Sequence, residues 1–168
     1  HWRKKYGSLV YGGNIKTIFE DRGTLIIAGK MQSSGLVTAL NIDNGTTQWQ
    51  HRYEMGIDVT NIDFGDIKLK GDFIYTTWEH SFVGSISEKC YVNCANRNTG
   101  TTVWEKNFDF NYDTTTYEGD EQAMLSLDVD DNFMVYLTGY ANKPGSASSF
   151  EWCAMKVNGL TGTLLHKY

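Results

Sequence analysis

The chain has 168 residues, 40% hydrophobic and 14% aromatic, which suffices for one domain with a substantial core. A net charge of −5 excludes the broad basic face that nucleic acid or an anionic membrane surface would require. No apolar run of about 18 residues occurs, so no transmembrane helix is expected.

Residues 1–6 read as an outer strand, because Trp2 and Tyr6 have the spacing that recurs at Trp49/Tyr53 and Trp104/Phe108. Strand-like runs follow at 14–20 and 24–28 around Asp21-Arg22-Gly23, then a hairpin of 35–43 and 46–53 around Asn44-Gly45. The sequence next predicts strands at 59–70 and 72–78 around Lys70-Gly71-Asp72, and a hairpin of 89–98 and 101–108 around Thr99-Gly100. It closes with strands at 123–129 and 133–138 around Asp130-Asp131-Asn132, and a hairpin of 150–160 and 163–168 around Thr161-Gly162. Asn-Gly and Thr-Gly between strand-like runs signal hairpins because they accept the positive φ of tight turns. Sustained 3.6-residue apolar periodicity is absent, so helix is not expected.

The hairpins are copies of one another. Asn41, Gly45 and Trp49 return as Asn96, Gly100 and Trp104, 55 residues on, and as Asn158 and Gly162 with His166 in the place of Trp. A period near 50 residues in a strand-rich chain marks a repeat array, with β-propeller blades as the leading reading. The expected fold is therefore all-β: three four-stranded antiparallel blades at 7–55, 56–110 and 111–168, preceded by the outer strand 1–6 of another blade. Propellers close with about four to eight blades, so further blades of the same chain or other subunits are expected as protein partners. The opening half-strand leads to the expectation of a segment of a longer repeat protein, or a product cut at that point. The repeats lengthen through loops at 109–122 and 140–149, where binding residues commonly sit.

The pattern Ala39-x-Asn41-x-x-x-Gly45-x-x-x-Trp49 resembles the signature of the quinoprotein-type (PQQ-like) propeller repeat, with Asn in place of its usual Asp. Cys94, Asn96, Gly100 and Trp104 match it less fully, and the third copy retains Asn158 and Gly162. The resemblance implies blade structure, not chemistry, since the repeat itself is non-catalytic in that family. Its physical sense is local: Gly permits the turn, Asn bonds turn backbone, and Trp packs between blades.

The residues point to no catalytic, cofactor or metal site. A quinone-dependent dehydrogenase would need an axial cofactor site, Ca²⁺ and a base carboxylate, and the adjacent Cys-Cys pair of that family's alcohol dehydrogenases is missing. Residues 109–131 carry eight acids and no Lys or Arg, so Ca²⁺ is the one ion to consider, against the simpler reading of a solvated loop. His1, His51, His80 and His166 match no zinc spacing; His166, in the place of the repeat Trp, is expected to pack. Cys90, Cys94 and Cys153 leave either a Cys90–Cys153 bridge or lone buried thiols open. Asn44-Gly45-Thr46 is a candidate glycosylation site and tilts the reading toward an extracellular protein. Tyr75, Trp78 and Trp152 are expected to pack between blades, whereas Trp2, Tyr6, Tyr112, Tyr117 and Tyr140 are the candidate contacts for a protein or carbohydrate partner. The function expected is a non-catalytic structural or interaction module. A fragment of a quinone-dependent oxidoreductase and a carbohydrate-binding propeller are the alternatives.

Overall fold

The computed structural model describes residue 3 and residues 13–31, 34–53, 59–82, 88–108, 122–142 and 149–168. They form twelve strands. The first sheet holds β1 (Gly13–Asp21), β2 (Thr24–Met31), β3 (Ser34–Asn41) and β4 (Thr47–Tyr53). The second holds β5 (Val59–Lys70), β6 (Phe73–Phe82), β7 (Glu88–Asn96) and β8 (Thr102–Phe108). The third holds β9 (Gln122–Val129), β10 (Met134–Asn142), β11 (Phe150–Asn158) and β12 (Thr163–Lys167). Each sheet is a four-stranded antiparallel meander in chain order, as the repeat predicted.

Two boundaries differ from expectation for an identifiable reason. β6 and β10 run to Phe82 and Asn142, beyond the predicted ends at 78 and 138, because pairing on both flanks continues past the apolar run. Tyr140 consequently lies on a strand and not in a loop. Phe133, predicted to open a strand, is instead a turn residue with φ 58°. The expected outer strand at 1–6 lies outside the described residues except for Arg3, which is exposed and assigned to no strand.

The sequence repeat becomes a repeat of irregularities. The hairpin registers shift at Ala39/Leu40, Cys94/Ala95 and Lys156/Val157, always just before the turn Asn. Each bulge increases the local twist and sets Trp49 opposite Ala39 and Trp104 opposite Cys94. The innermost pairs are bulged as well, between Ile15/Thr17, Phe64/Ile67 and Thr138/Gly139.

The core lies between sheets. One apolar cluster joins Ile26, Val37, Trp49 and Tyr53 of the first sheet to Ile62, Phe64, Ile67 and Trp78 of the second. Another joins Tyr75, Val92, Cys94 and Trp104 of the second to Met124, Leu127, Leu137 and Met155 of the third. Strand alternation sends successive side chains to opposite faces, so the middle sheet contributes to both clusters. The middle sheet thus has two apolar faces, one toward its predecessor and one toward its successor.

Candidate functional site

The repeated hairpin turn is the docking element. The Oδ1 of Asn41 accepts from the backbone N–H of Asp43 (2.9 Å) and Asn44 (3.2 Å). The same oxygen of Asn96 accepts from Asn98 and Thr99, and that of Asn158 from Leu160 and Thr161. Gly45, Gly100 and Gly162 complete these turns at φ 70°, 71° and 70°, each N–H donating to its own turn Asn carbonyl. Without a Cβ, glycine enters this left-handed region freely.

Glycine at this position also admits the indole of the preceding sheet. A Cβ on Gly100 would lie 2.5 Å from Cε3 of Trp49, and one on Gly162 would lie 2.9 Å from Cδ2 of Trp104. The indole N–H of Trp49 donates to the Arg97 carbonyl at 2.8 Å, and that of Trp104 to the Gly159 carbonyl at 2.7 Å. Both acceptors directly follow the turn Asn. Trp and turn together therefore form one lock, made twice at equivalent positions.

Further ties cross the same interfaces. Tyr53 donates to Oδ1 of Asn93 at 2.9 Å, both side chains being buried. Arg97 pairs with Asp21 across the first interface and donates to the Gly71 carbonyl within its own sheet; Lys70 pairs with Asp131 across the second. Near the innermost strands, Asp66 accepts from Ser126 Oγ (3.0 Å) and the Leu127 N–H (3.2 Å) of the next sheet. The sequence reading missed Arg97 and Asp66. A Gly65-Asp66 pair inside a strand pattern was the available signal, because an isolated strand glycine suggests a bulge. A Cβ on Gly65 would meet the Met124 carbonyl at 2.1 Å, so the inner strands approach closely there.

The aromatic expectations divide. Tyr75 and Trp78 are buried, as an interior role requires, but Trp152 is 80% exposed. This corrects its expected packing: Trp152 is on the outward face of the third sheet, where no described sheet covers it. Tyr140 and Phe150 share that face, their rings meeting edge-on at 5.2 Å, and with Glu151 and Trp152 they line an open cleft of about 390 Å³. His166 is exposed on β12 rather than packed, for the same reason. Trp2, Tyr6, Tyr112 and Tyr117 lie outside the described residues, as do the acids at 109–121. Among the described residues, no group of three or more His, Cys, Asp or Glu side chains converges as a metal site. Asn44 occupies an exposed turn, where its side-chain oxygen accepts from the N–H and hydroxyl of Thr46.

All three cysteines are free and buried, so no bridge joins Cys90 to Cys153. Burial pushes the Cys94 thiol up to about 12, against the opposing hydrogen bond with Tyr75, and raises Cys153 as well. The folded state favours the neutral thiol. Its contribution to stability is therefore intact below the ordinary thiol range and is lost as pH rises from about 9 toward about 12. The native protein at pH 8 should resist an aromatic disulfide reagent at Cys94, yet react promptly in denaturant. Fast stoichiometric labelling of the folded chain at this residue would contradict the buried assignment.

No protein-family model matches the sequence, and no curated protein matches it. Solved structures similar in fold include the following two. A quinohemoprotein alcohol dehydrogenase, ADHIIG from Pseudomonas putida HK5, aligns over 90% of this chain and 26% of its own, with 13% identity and a TM-score of 0.64. A europium-containing methanol dehydrogenase aligns over 91% of this chain and 31% of its own, with 13% identity and a TM-score of 0.65. This likeness establishes the quinoprotein-type propeller fold for the three sheets. The chain spans less than a third of either structure.

Proposed function

We propose that this chain is a non-catalytic propeller module with a structural or protein-interaction role, acting outside the cell and assembling through the faces and edges of its sheets. The observation that carries this reading is the use made of the repeat residues. Asn41, Asn96 and Asn158 are bonded to their own turns, and Trp49 and Trp104 to the next sheet. The motif supplies docking, and the faces that lack a described neighbour expose large apolar side chains, Ile15 and Ile18 on the first sheet and Trp152 on the third. Residues 1–6, with Trp2 and Tyr6, supply an outer strand to a neighbouring sheet in this reading. Asn44 on its exposed turn supports the extracellular placement, because an accessible acceptor suits glycosylation.

Two other readings have a specific observation behind them. The fold likeness favours part of a quinone-dependent oxidoreductase. The Tyr140–Phe150–Trp152 cleft favours a carbohydrate ligand, since exposed rings stack on sugar faces. A dye-linked dehydrogenase assay with added quinone and Ca²⁺ separates the first: no turnover on alcohols or sugars is expected. Quinone-dependent turnover would replace the non-catalytic reading. Glycan-array binding lost on Trp152→Ala would favour the carbohydrate reading instead.

A further inference from the structure

We propose that a second contact, made away from the hairpin turns, fixes the order in which the sheets stack. Through it the first sheet accepts only a neighbour that offers a buried amide and a large aromatic pair. The tryptophan lock cannot set that order. Trp49 and Trp104 make the same bond to the same turn position and press on the same turn glycine, so each suits the other's partner. Both interfaces concerned lie within the described residues, and neither depends on any activity of the protein.

A hydroxyl and an amide form the first part of this contact. Tyr53 of the first sheet donates to Oδ1 of Asn93 at 2.9 Å. Asn93 is held by its own sheet, its Nδ2 donating to Thr102 Oγ1 at 3.4 Å and to Glu105 Oε2 at 3.3 Å. The amide oxygen is thereby aimed at the first sheet. Register identifies the equivalent residues at the second interface. Tyr53 pairs with Gly35, and Phe108 pairs with Cys90 at the same distance from its turn. Asn93 lies opposite Glu105, and Met155 opposite Lys167. Leu164, opposite Val157, takes the place of Thr102, opposite Ala95. Donor, acceptor and both supports of the acceptor are exchanged together, and the pair becomes the apolar Phe108 and Met155 of one buried cluster.

Size is matched at the same spot. The Tyr53 ring meets Trp78 edge-on at 4.1 Å and Phe64 at 6.1 Å. Phe64 fills space that Gly35 leaves, since an added Cβ there would lie 2.8 Å from its ring. At the second interface Cys90 supplies a side chain in the place of Gly35, and the facing residues shrink to Met124 and Gly139 in the places of Phe64 and Trp78. Wrong pairings are therefore penalised in both directions. A sheet carrying Cys90 and Phe108, set on Phe64 and Asn93, would clash with the ring and bury the amide against phenylalanine. A sheet carrying Gly35 and Tyr53, set on Met124, Gly139 and Met155, would leave a void and an unbonded hydroxyl. Repeat proteins are prone to such misassembly, which appears as swapped oligomers on refolding.

Unfolding and refolding of the protein in denaturant test this. Tyr53→Phe and Asn93→Met should each shift the unfolding equilibrium about tenfold, the scale of one buried hydrogen bond. The double exchange should cost about tenfold less than the two single effects multiplied together. Gly35→Ala should cost at least about tenfold, and about tenfold less in the Phe64→Met background. Stacking order is read separately, by size-exclusion chromatography of samples refolded at about 100 µM beside samples never unfolded. The Tyr53→Phe/Asn93→Met protein, apolar at both interfaces, should give at least about threefold more swapped oligomer than the unsubstituted protein. Additive penalties in either cycle, or refolding of that double variant without extra oligomer, would overturn the proposal.

Discussion

Replacing Trp49 or Trp104 with alanine is expected to destabilise the protein by about 3–5 kcal/mol, the range for a large buried aromatic. Both indoles are nearly fully buried, at 9% and 8% exposure, and each joins the apolar cluster between two sheets. Truncation leaves a cavity at a sheet interface and orphans the carbonyl of Arg97 or Gly159. Phenylalanine separates the two effects. It retains most of the buried area and loses the indole bond, so about 1–2 kcal/mol should remain. Denaturant unfolding measures all four variants. A loss below about 1 kcal/mol for either alanine variant would place these residues outside the docking interface, since that is the scale of a surface change.

Gly100→Ala should cost about 2–5 kcal/mol, combining left-handed backbone strain of about 1–2 kcal/mol with overpacking of about 1–3 kcal/mol. Gly23 provides the control. It has the same left-handed conformation, φ 78° against 71°, but a Cβ there meets nothing within 4 Å. Gly23→Ala therefore reports strain alone, and the difference between the variants isolates the contact with Trp49. In the Trp49→Ala background the penalty at Gly100 should shrink toward that at Gly23, a coupling that a double-mutant cycle reads directly. Equal penalties at the two glycines, with full additivity in the cycle, would show that Trp49 and Gly100 do not press on one another.

These expectations treat Trp and the turn glycine of the next sheet as one unit, whereas the sequence showed them only as members of one recurring motif. Asn41, Gly45 and Trp49 recur at fixed offsets because the turn geometry is local: an Asn oxygen reaches only the next few backbone N–H groups, and a left-handed position selects glycine. Strand alternation, hairpin turns and the number of sheets were legible for the same reason. Each depends on neighbours within a few residues, so pattern and chemistry suffice.

Burial on the sheet faces was not local, and there the sequence alone could not discriminate. Trp78 and Trp152 both sit on strands among apolar neighbours, yet one is 1% and the other 80% exposed. The difference is a sheet lying over Trp78 and none described over Trp152. His166 follows the same rule: it holds a docking position, but no described turn receives it. The pairs Arg97–Asp21 and Lys70–Asp131, and the reach of Asp66 to Leu127, span 61–76 residues of sequence. Nothing in a charge pattern of one chain specifies which turns will be neighbours. The amino-acid sequence by itself determined the blade and its repeat, because turns and strand faces are properties of short segments. Only the tertiary structure decided which faces are covered and which charges meet, because stacking three sheets brings together residues that no local pattern relates.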